Sequence, residues 1–374
     1  MALTPTPRPN APRPPTAPAD RLPGPDVVRA VALIGVVVMN YHGYLLLADR
    51  GRSPIGDGWS TMFFDPWVGP LSTRFAATFV LVAGVGVTLL TRRSIGSPDR
   101  VTAARWRLAR RGVLLYVVGL LLDQVWPGTI LPYYGVMFVI AASLFTLRTR
   151  WIVLIGSIAV AAGTGVRGWV VERERAGHST RWLTAPDPQS VDRYVFGVVV
   201  NGTHPLLPWL GFLCAGIVLG RLLHTSWWRR TALGLGATMV IAAALASLAV
   251  DGSTRTWGDV VLSIRPFEGG VAYVVSALGT ALIAYAALDW LATRHRELTD
   301  PLRRAGQMTL TLYLLHVVVF EVLVEWLGWI EPAGIDTALA FALVFWVVAI
   351  SLAVAWQQRF GRGPAEYVYR SFGG

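Results

Sequence analysis

A chain of 374 residues with 54% hydrophobic and only 15% charged side chains, at a mean hydropathy of +0.51, is too apolar for a soluble domain of that length. Its formal net charge of +11 is carried by arginines in short stretches between apolar runs, with no nucleic-acid-binding motif. That pattern excludes nucleic acid as a partner and makes the lipid bilayer the first one. The single cysteine, Cys214, falls inside an apolar run, so no intrachain disulfide forms.

Residues 1–24 are rich in Pro, Ala and Thr, with Arg8, Arg13 and Arg21, and read as a disordered, cytoplasmic tail. They lack the apolar centre of a signal peptide, so the first span, opening near Asp26, serves as an uncleaved insertion signal. Apolar runs of roughly 20 residues, enough for a hydrocarbon core of about 30 Å, follow at 26–47, 71–91, 110–126, 130–147, 151–171, 204–223, 230–250, 267–289, 304–327 and 337–357. The fold predicted is all-α: a polytopic integral membrane helical bundle of about ten transmembrane helices over 25–360. A short C-terminal tail, 361–374, follows it.

Orientation comes from the loops. Arg92, Arg93, Arg100, Arg105, Arg107, Arg110 and Arg111 follow the second span, Arg148 and Arg150 the fourth, and Arg221, Arg229 and Arg230 the sixth. Arg294, Arg296, Arg303 and Arg304 follow the eighth, and Arg359, Arg362 and Arg370 lie in the tail. The alternate loops are mixed or acidic, with Asp123, Glu325, Glu331 and Asp336 in or beside them. By the positive-inside rule both termini are cytoplasmic. The longest outer connection, 172–203, is either a cap over a substrate entrance or a solvated linker. No internal repeat of the kind that marks a two-fold transporter is visible.

Ionisable groups inside spans are costly and default to a functional reading. Asp26 and Arg29, three apart, share one helix face at the cytoplasmic end, as an ion pair that seats the helix or as a substrate contact. At roughly 1.5 Å of rise per residue, Asn40 lies about 21 Å beyond Asp26, in the outer half. His42, two residues on, points to a different side, and the two reach one site only if the helix unwinds near Gly43. In the ninth span Thr309, Tyr313 and His316 form a stripe near mid-membrane, and Glu321 and Glu325 make a polar face toward the outside. Arg74, Asp123, Tyr133, Tyr134, His204, Arg265 and Glu268 gather in the outer half. There they line an outward-opening cavity or anchor the chain at the interface. The run from Thr203 to Gly211, with Pro205 and Pro208, predicts an irregular first turn, which at that depth must line a cavity or be buried in protein.

These residues resemble a known family. The opening from Asp26 and Arg29 through Gly35 to Asn40 is similar to that of the DUF418 (YeiB-like) membrane proteins and of the heparan-α-glucosaminide N-acetyltransferase group, within the transmembrane acyltransferase superfamily. Arg110 to Gly119, Gly128 to Gly135, His204 to Gly220 and Gly306 to His316 agree in order with its later spans, and Phe360 to Arg370 resembles the DUF418 tail. The resemblance implies a membrane-bound acyltransferase in a bacterial plasma membrane. It would move an acyl group, acetyl first among them, from cytoplasmic acyl-CoA to a sugar, glycolipid or other polar acceptor at the far side, with no metal. The family's first-span asparagine matches Asn40. Its later histidine has no counterpart here, so His42 or His316 is left as the base. Arg29, Arg107, Arg110, Arg111, Arg303 and Arg304 are candidates for the CoA phosphates. Arg74, Asp123, His204, Arg265, Glu268, Tyr313 and Glu321 are candidates for the acceptor. The alternative is a transporter of a small polar or acylated metabolite using the same intramembrane groups. A homodimer is compatible with either.

Overall fold

The computed structural model describes residues 22–49, 58–187, 190–250 and 255–374. The tail expected to be disordered lies outside them, apart from its last three residues. Among the described residues there are helices and no strands. In chain order they are α1 (Pro23–Asp49), α2 (Trp59–Phe64), α3 (Arg74–Thr91), α4 (Pro98–Leu122), α5 (Leu131–Leu144) and α6 (Thr149–Arg175). Next come α7 (Arg181–Thr184), α8 (Val191–Phe196), α9 (Leu206–Leu222), α10 (Trp228–Ser247), α11 (Trp257–Leu262) and α12 (Val271–Arg294). The last are α13 (Arg296–Gly306), α14 (Thr309–Phe320), α15 (Ile335–Phe360) and α16 (Pro364–Gly373). The α14 helix continues as a π-helical stretch, Glu321–Trp326.

Each expected span coincides with a helix. Among the described residues seven helices are long and apolar enough to cross a membrane: α1, α3, α6, α10, α12, α14 with its π-helical stretch, and α15. An eighth is the pair Val191–Asn201 and Leu206–Leu222, bent by 50°. The two others expected are α4, whose first half is laden with arginine, and α5, which at 14 residues rises only about 21 Å. The α5 helix can be short because the turn before it is recessed. Trp126 in that turn is 1% exposed and stacks on Tyr44 of α1, whose hydroxyl donates to the Pro127 carbonyl. Non-helical backbone at this depth survives because protein surrounds it.

The α1 helix runs through the middle of the bundle, against α3, α12, α13, α14 and α15. Leu33, Val37, Tyr41 and Leu45 recur at four-residue spacing and are fully buried, one stripe of a regular helix. Around it, helices approach through paired glycines: a Cβ on Gly112 of α4 would lie 2.5 Å from the Gly135 carbonyl of α5, and one on Gly236 of α10 would lie 2.7 Å from the Gly279 carbonyl of α12. Gly84 of α3 and Gly216 of α9 meet in the same way. Small residues at crossings let backbones touch where lipid provides no hydrophobic drive.

The arginine-rich end is cross-tied. Arg221 donates to the Phe145 and Leu147 carbonyls (3.0 and 2.9 Å), closing the end of α9 onto the turn between α5 and α6. Arg229 at the start of α10 pairs with Asp289 of α12 at 2.7 Å. Asp26 accepts from Gln307 at 3.1 Å and from Arg29 at 3.3 Å, joining α1 to the turn between α13 and α14. The segment 361–374 is helical and docked: the Glu366 carboxylate accepts from the Leu310 and Thr311 amides (2.7 and 3.2 Å) and the Thr311 hydroxyl (2.5 Å), capping α14.

Candidate functional site

Two cavities enter the bundle from opposite ends. The one at the arginine-rich end is lined by Arg29, Arg111, Tyr134, Gln307, Glu366, Tyr369 and Arg370 among others. The one at the opposite end is lined by Asn40, Gly43, Tyr44, Trp126, Thr203, His204 and their neighbours. Ile130 and Tyr313 line both, so these two side chains are the partition. The Tyr313 hydroxyl is tied to Thr129 Oγ1 at 2.8 Å and accepts from the Ile130 amide at 3.4 Å. A side chain of α14 is thereby fixed to the recessed turn at the start of α5.

Asn40 projects from the face of α1 that carries Val36, Gly43, Tyr44 and Leu47, the spacing of a single helical face. Behind it stands His316, fully buried on α14. Bonding fixes the pair's orientation. His316 Nδ1 meets the Tyr313 carbonyl, which only accepts, so Nδ1 carries the proton. Nε2 is therefore the acceptor, and the Asn40 amide NH2 donates to it at 3.1 Å. The Asn40 carbonyl oxygen is not engaged by the histidine, on a side chain that lines the cavity. Tyr41, next along α1, donates to the His316 carbonyl at 3.1 Å and secures α14 from the other flank.

His42 does not join them. The α1 helix stays regular through Gly43, so His42 points away and its Nδ1 bonds the Phe64 carbonyl at 2.7 Å. His204 does reach the cavity. Thr203 gives its hydroxyl proton to the Gly128 carbonyl (3.1 Å), so its oxygen accepts from His204 Nδ1–H (3.0 Å). That relay leaves Nε2 unprotonated. Leu207 departs from helical geometry, so the first turn of α9 is irregular, as its two prolines predict; the Leu207–Pro208 bond is cis.

The other expected contacts divide. Arg29 and Arg111 line the arginine-end cavity; Arg29 does so while paired with Asp26. Arg107 and Arg110 face a separate surface groove with Asp99 and Trp106. Arg303 and Arg304 both pair with Asp300 one turn back on α13 and line neither cavity. Arg74 turns to α12, with Ser276 Oγ at 2.7 Å, while its neighbours Thr73 and Phe75 line the cavity. Thr73 itself has φ of +59°, a left-handed conformation that a β-branched residue adopts only under strain. Asp123 accepts from the Gly128 amide at 2.8 Å and holds the recessed turn. Glu268 lies 4.0 Å from Arg255 beside cavity-lining Phe267, Arg265 is exposed, and Glu321 opens the π-helical stretch.

Glu366, Tyr369 and Arg370 of α16 and Gln307, not expected as site residues from the sequence, complete the arginine-end cavity, and Tyr134, expected among the outer-half groups, lines this cavity instead. The Arg111 guanidinium lies over the Tyr369 ring at 5.1 Å. Two donors there are buried without a hydrogen-bond partner, Arg111 Nε and the Tyr134 hydroxyl. Among the described residues no cluster of His, Cys, Asp and Glu is arranged to hold a metal.

Helices of membrane length around two recesses define an all-α, multi-pass integral membrane protein. Residues 21–251 match the family model described as "Heparan-alpha-glucosaminide N-acetyltransferase, catalytic", and 212–373 match "Protein of unknown function (DUF418)". The first match covers more than half of the chain, which belongs to that acetyltransferase family. It is also 24% identical to the "Uncharacterized protein YeiB" of Escherichia coli (strain K12), over 92% of this chain and 94% of that one.

Proposed function

We propose that this protein is an acyltransferase that takes an acyl group from acyl-CoA in the arginine-end cavity and passes it to a polar acceptor in the opposite one. The arginine end faces the cytoplasm in this reading, and the acceptor is a sugar or similar amine- or hydroxyl-bearing molecule at the outer side. The observation that carries it is the meeting of the two cavities at Tyr313 and Ile130. An acyl group has to cross only one layer of side chains.

The residues present suit a CoA donor. Arg111 and Arg370 would meet its phosphates with charge-assisted bonds. The unpartnered Arg111 Nε is a donor that a phosphate oxygen would satisfy. The donor supplies a thioester, whose carbonyl carbon is the electrophile. On the other side Asn40, held by His316, accepts a hydrogen bond from the acceptor and orients it. His204 Nε2 takes the proton of the attacking hydroxyl or amine. A C–O or C–N bond forms, the C–S bond breaks, the electron pair leaves on sulfur, and the proton ends on the CoA thiol. His204 thus takes the base's role, for which His42 and His316 are less well placed. His42 lies outside the cavity, and the free nitrogen of His316 is occupied by Asn40.

The test uses proteoliposomes with labelled acetyl-CoA and a panel of amino and hydroxyl sugars. Label should pass to an acceptor across the membrane. Saturable movement of unmodified solute without CoA and without acyl transfer would overturn the proposal.

A further inference from the structure

Among the described residues two tyrosine hydroxyls are buried without a partner, those of Tyr134 and Tyr285, and Tyr134 is the one that lines a cavity. Its oxygen is buried and has no hydrogen-bond partner, on a residue only 6% exposed. A hydroxyl buried without a partner is kept against a cost in stability. The ring cannot turn to find an internal partner. It is packed against Phe79 and Phe138 (centroids 5.7 and 6.4 Å), and the next residue, Gly135, is in backbone contact with Gly112.

Its position has a use. Tyr134 lines the arginine-end cavity and lies one helical turn beyond Ile130, half of the partition. Around it the wall is apolar: Phe79, Ala83, Leu131 and Phe138. Arg29, the nearest cation in that wall, is already engaged by Asp26. A phosphate there would be buried without enough counter-charge, whereas a neutral carbonyl would not.

We infer that the Tyr134 hydroxyl donates a hydrogen bond to the thioester carbonyl oxygen of the acyl donor, an assignment that rests on the acyl-transfer reading above. The hydroxyl keeps its proton throughout. As the acceptor attacks the carbonyl carbon, negative charge builds on the carbonyl oxygen and the bond to Tyr134 strengthens. As the C–S bond breaks and the carbonyl re-forms, it relaxes. A donor fixed in a dry wall, aimed at the point where charge develops, needs no reorganisation during reaction.

Tyr134→Phe removes the hydroxyl and keeps the ring. Purified wild type and variant in nanodiscs are compared by ligand-free thermal unfolding, by the infrared carbonyl band of bound carbonyl-¹³C acetyl-CoA, and by acetyl transfer to glucosamine as probe acceptor. The variant should unfold at the same temperature or higher, because no internal bond is lost. It should bind acetyl-CoA within about threefold of wild type, show the carbonyl band shifted toward its free position, and turn over about 10²-fold more slowly. An unchanged band with unchanged turnover overturns the role of Tyr134 while leaving acyl transfer standing. A variant that unfolds at lower temperature without ligand overturns it too, by revealing an internal partner. A wild type that neither binds acetyl-CoA nor transfers acetyl overturns the acyl-transfer reading itself.

Discussion

Asn40 on α1 and His316 on α14 are joined side chain to side chain at 3.1 Å, across 276 positions of sequence. The histidine is sealed and the asparagine reaches the cavity, so the two act as one unit with a single outward face. Asn40→Ala should cost about 10²-fold in turnover by removing the group that orients the acceptor. His316→Ala should cost a similar factor by releasing Asn40, and the double variant should be little worse than either single one. Additive losses in a double-mutant cycle would show that the two act separately.

The hydroxyl relay from His204 through Thr203 to the Gly128 carbonyl sets a lone pair on His204 Nε2. His204→Gln should slow transfer by 10²-fold or more, at the scale of general-base catalysis. It should also abolish the acid limb of the kcat/KM profile against pH. A variant that keeps that limb would remove His204 from the proton path. His42→Ala, whose side chain faces the α2 end, should leave the limb in place.

Glu366 takes three hydrogen bonds at the first turn of α14 and sits in the wall of the arginine-end cavity. Glu366→Ala should lower stability by about 1–2 kcal/mol, the scale of a lost helix cap. It should also weaken acetyl-CoA binding more than it slows turnover at saturation. Thermal unfolding and a titration with acetyl-CoA read the two effects separately.

Asp300 gives a pH dependence whose sign follows from its neighbours. Burial works to raise its pKa, and the hydrogen bonds and charges of Arg304 and Arg303 outweigh it, so the carboxyl sits below the ordinary aspartate range. A depressed carboxyl contributes stability that is full above the unfolded pKa and is lost as pH falls through the folded one. Asp300→Asn should therefore flatten the acid side of the stability profile without altering donor affinity. A fall in acetyl-CoA affinity would place Arg303 and Arg304 back among the donor contacts.

The helical, membrane-spanning character of the chain was legible from apolar runs alone, and Asn40, Tyr313 and His316, picked out as polar groups inside spans, come together in the structure. What escaped has physical reasons. The separation of His42 from Asn40 follows from a helix that stays regular at Gly43, so the unwinding that would have joined them is absent. The engagement of Arg303 and Arg304 by Asp300 was readable from spacings of three and four, but their loop position suggested phosphate contacts instead. The docking of α16 onto α14 joins residues 55 and 56 apart and leaves no local trace, even though the Gly363-Pro364-Ala365-Glu366 run marks a helix start. The Tyr134 hydroxyl looked like one polar group among many. Its lack of a partner together with its place in a cavity wall sets it apart, and both exist only in three dimensions.

Two recesses that almost meet also reshape the electrical profile of the membrane. Where water or ligand enters from both ends, the transmembrane voltage no longer falls over about 30 Å of hydrocarbon. It is concentrated across the layer formed by Tyr313 and Ile130. A unit charge crossing that layer would feel nearly the whole potential, about 2.3 kcal/mol per 100 mV. In the proposed transfer the acyl group passes one way as the acceptor's proton passes the other, so no net charge crosses and the equilibrium is the same in an energised membrane and a depolarised one.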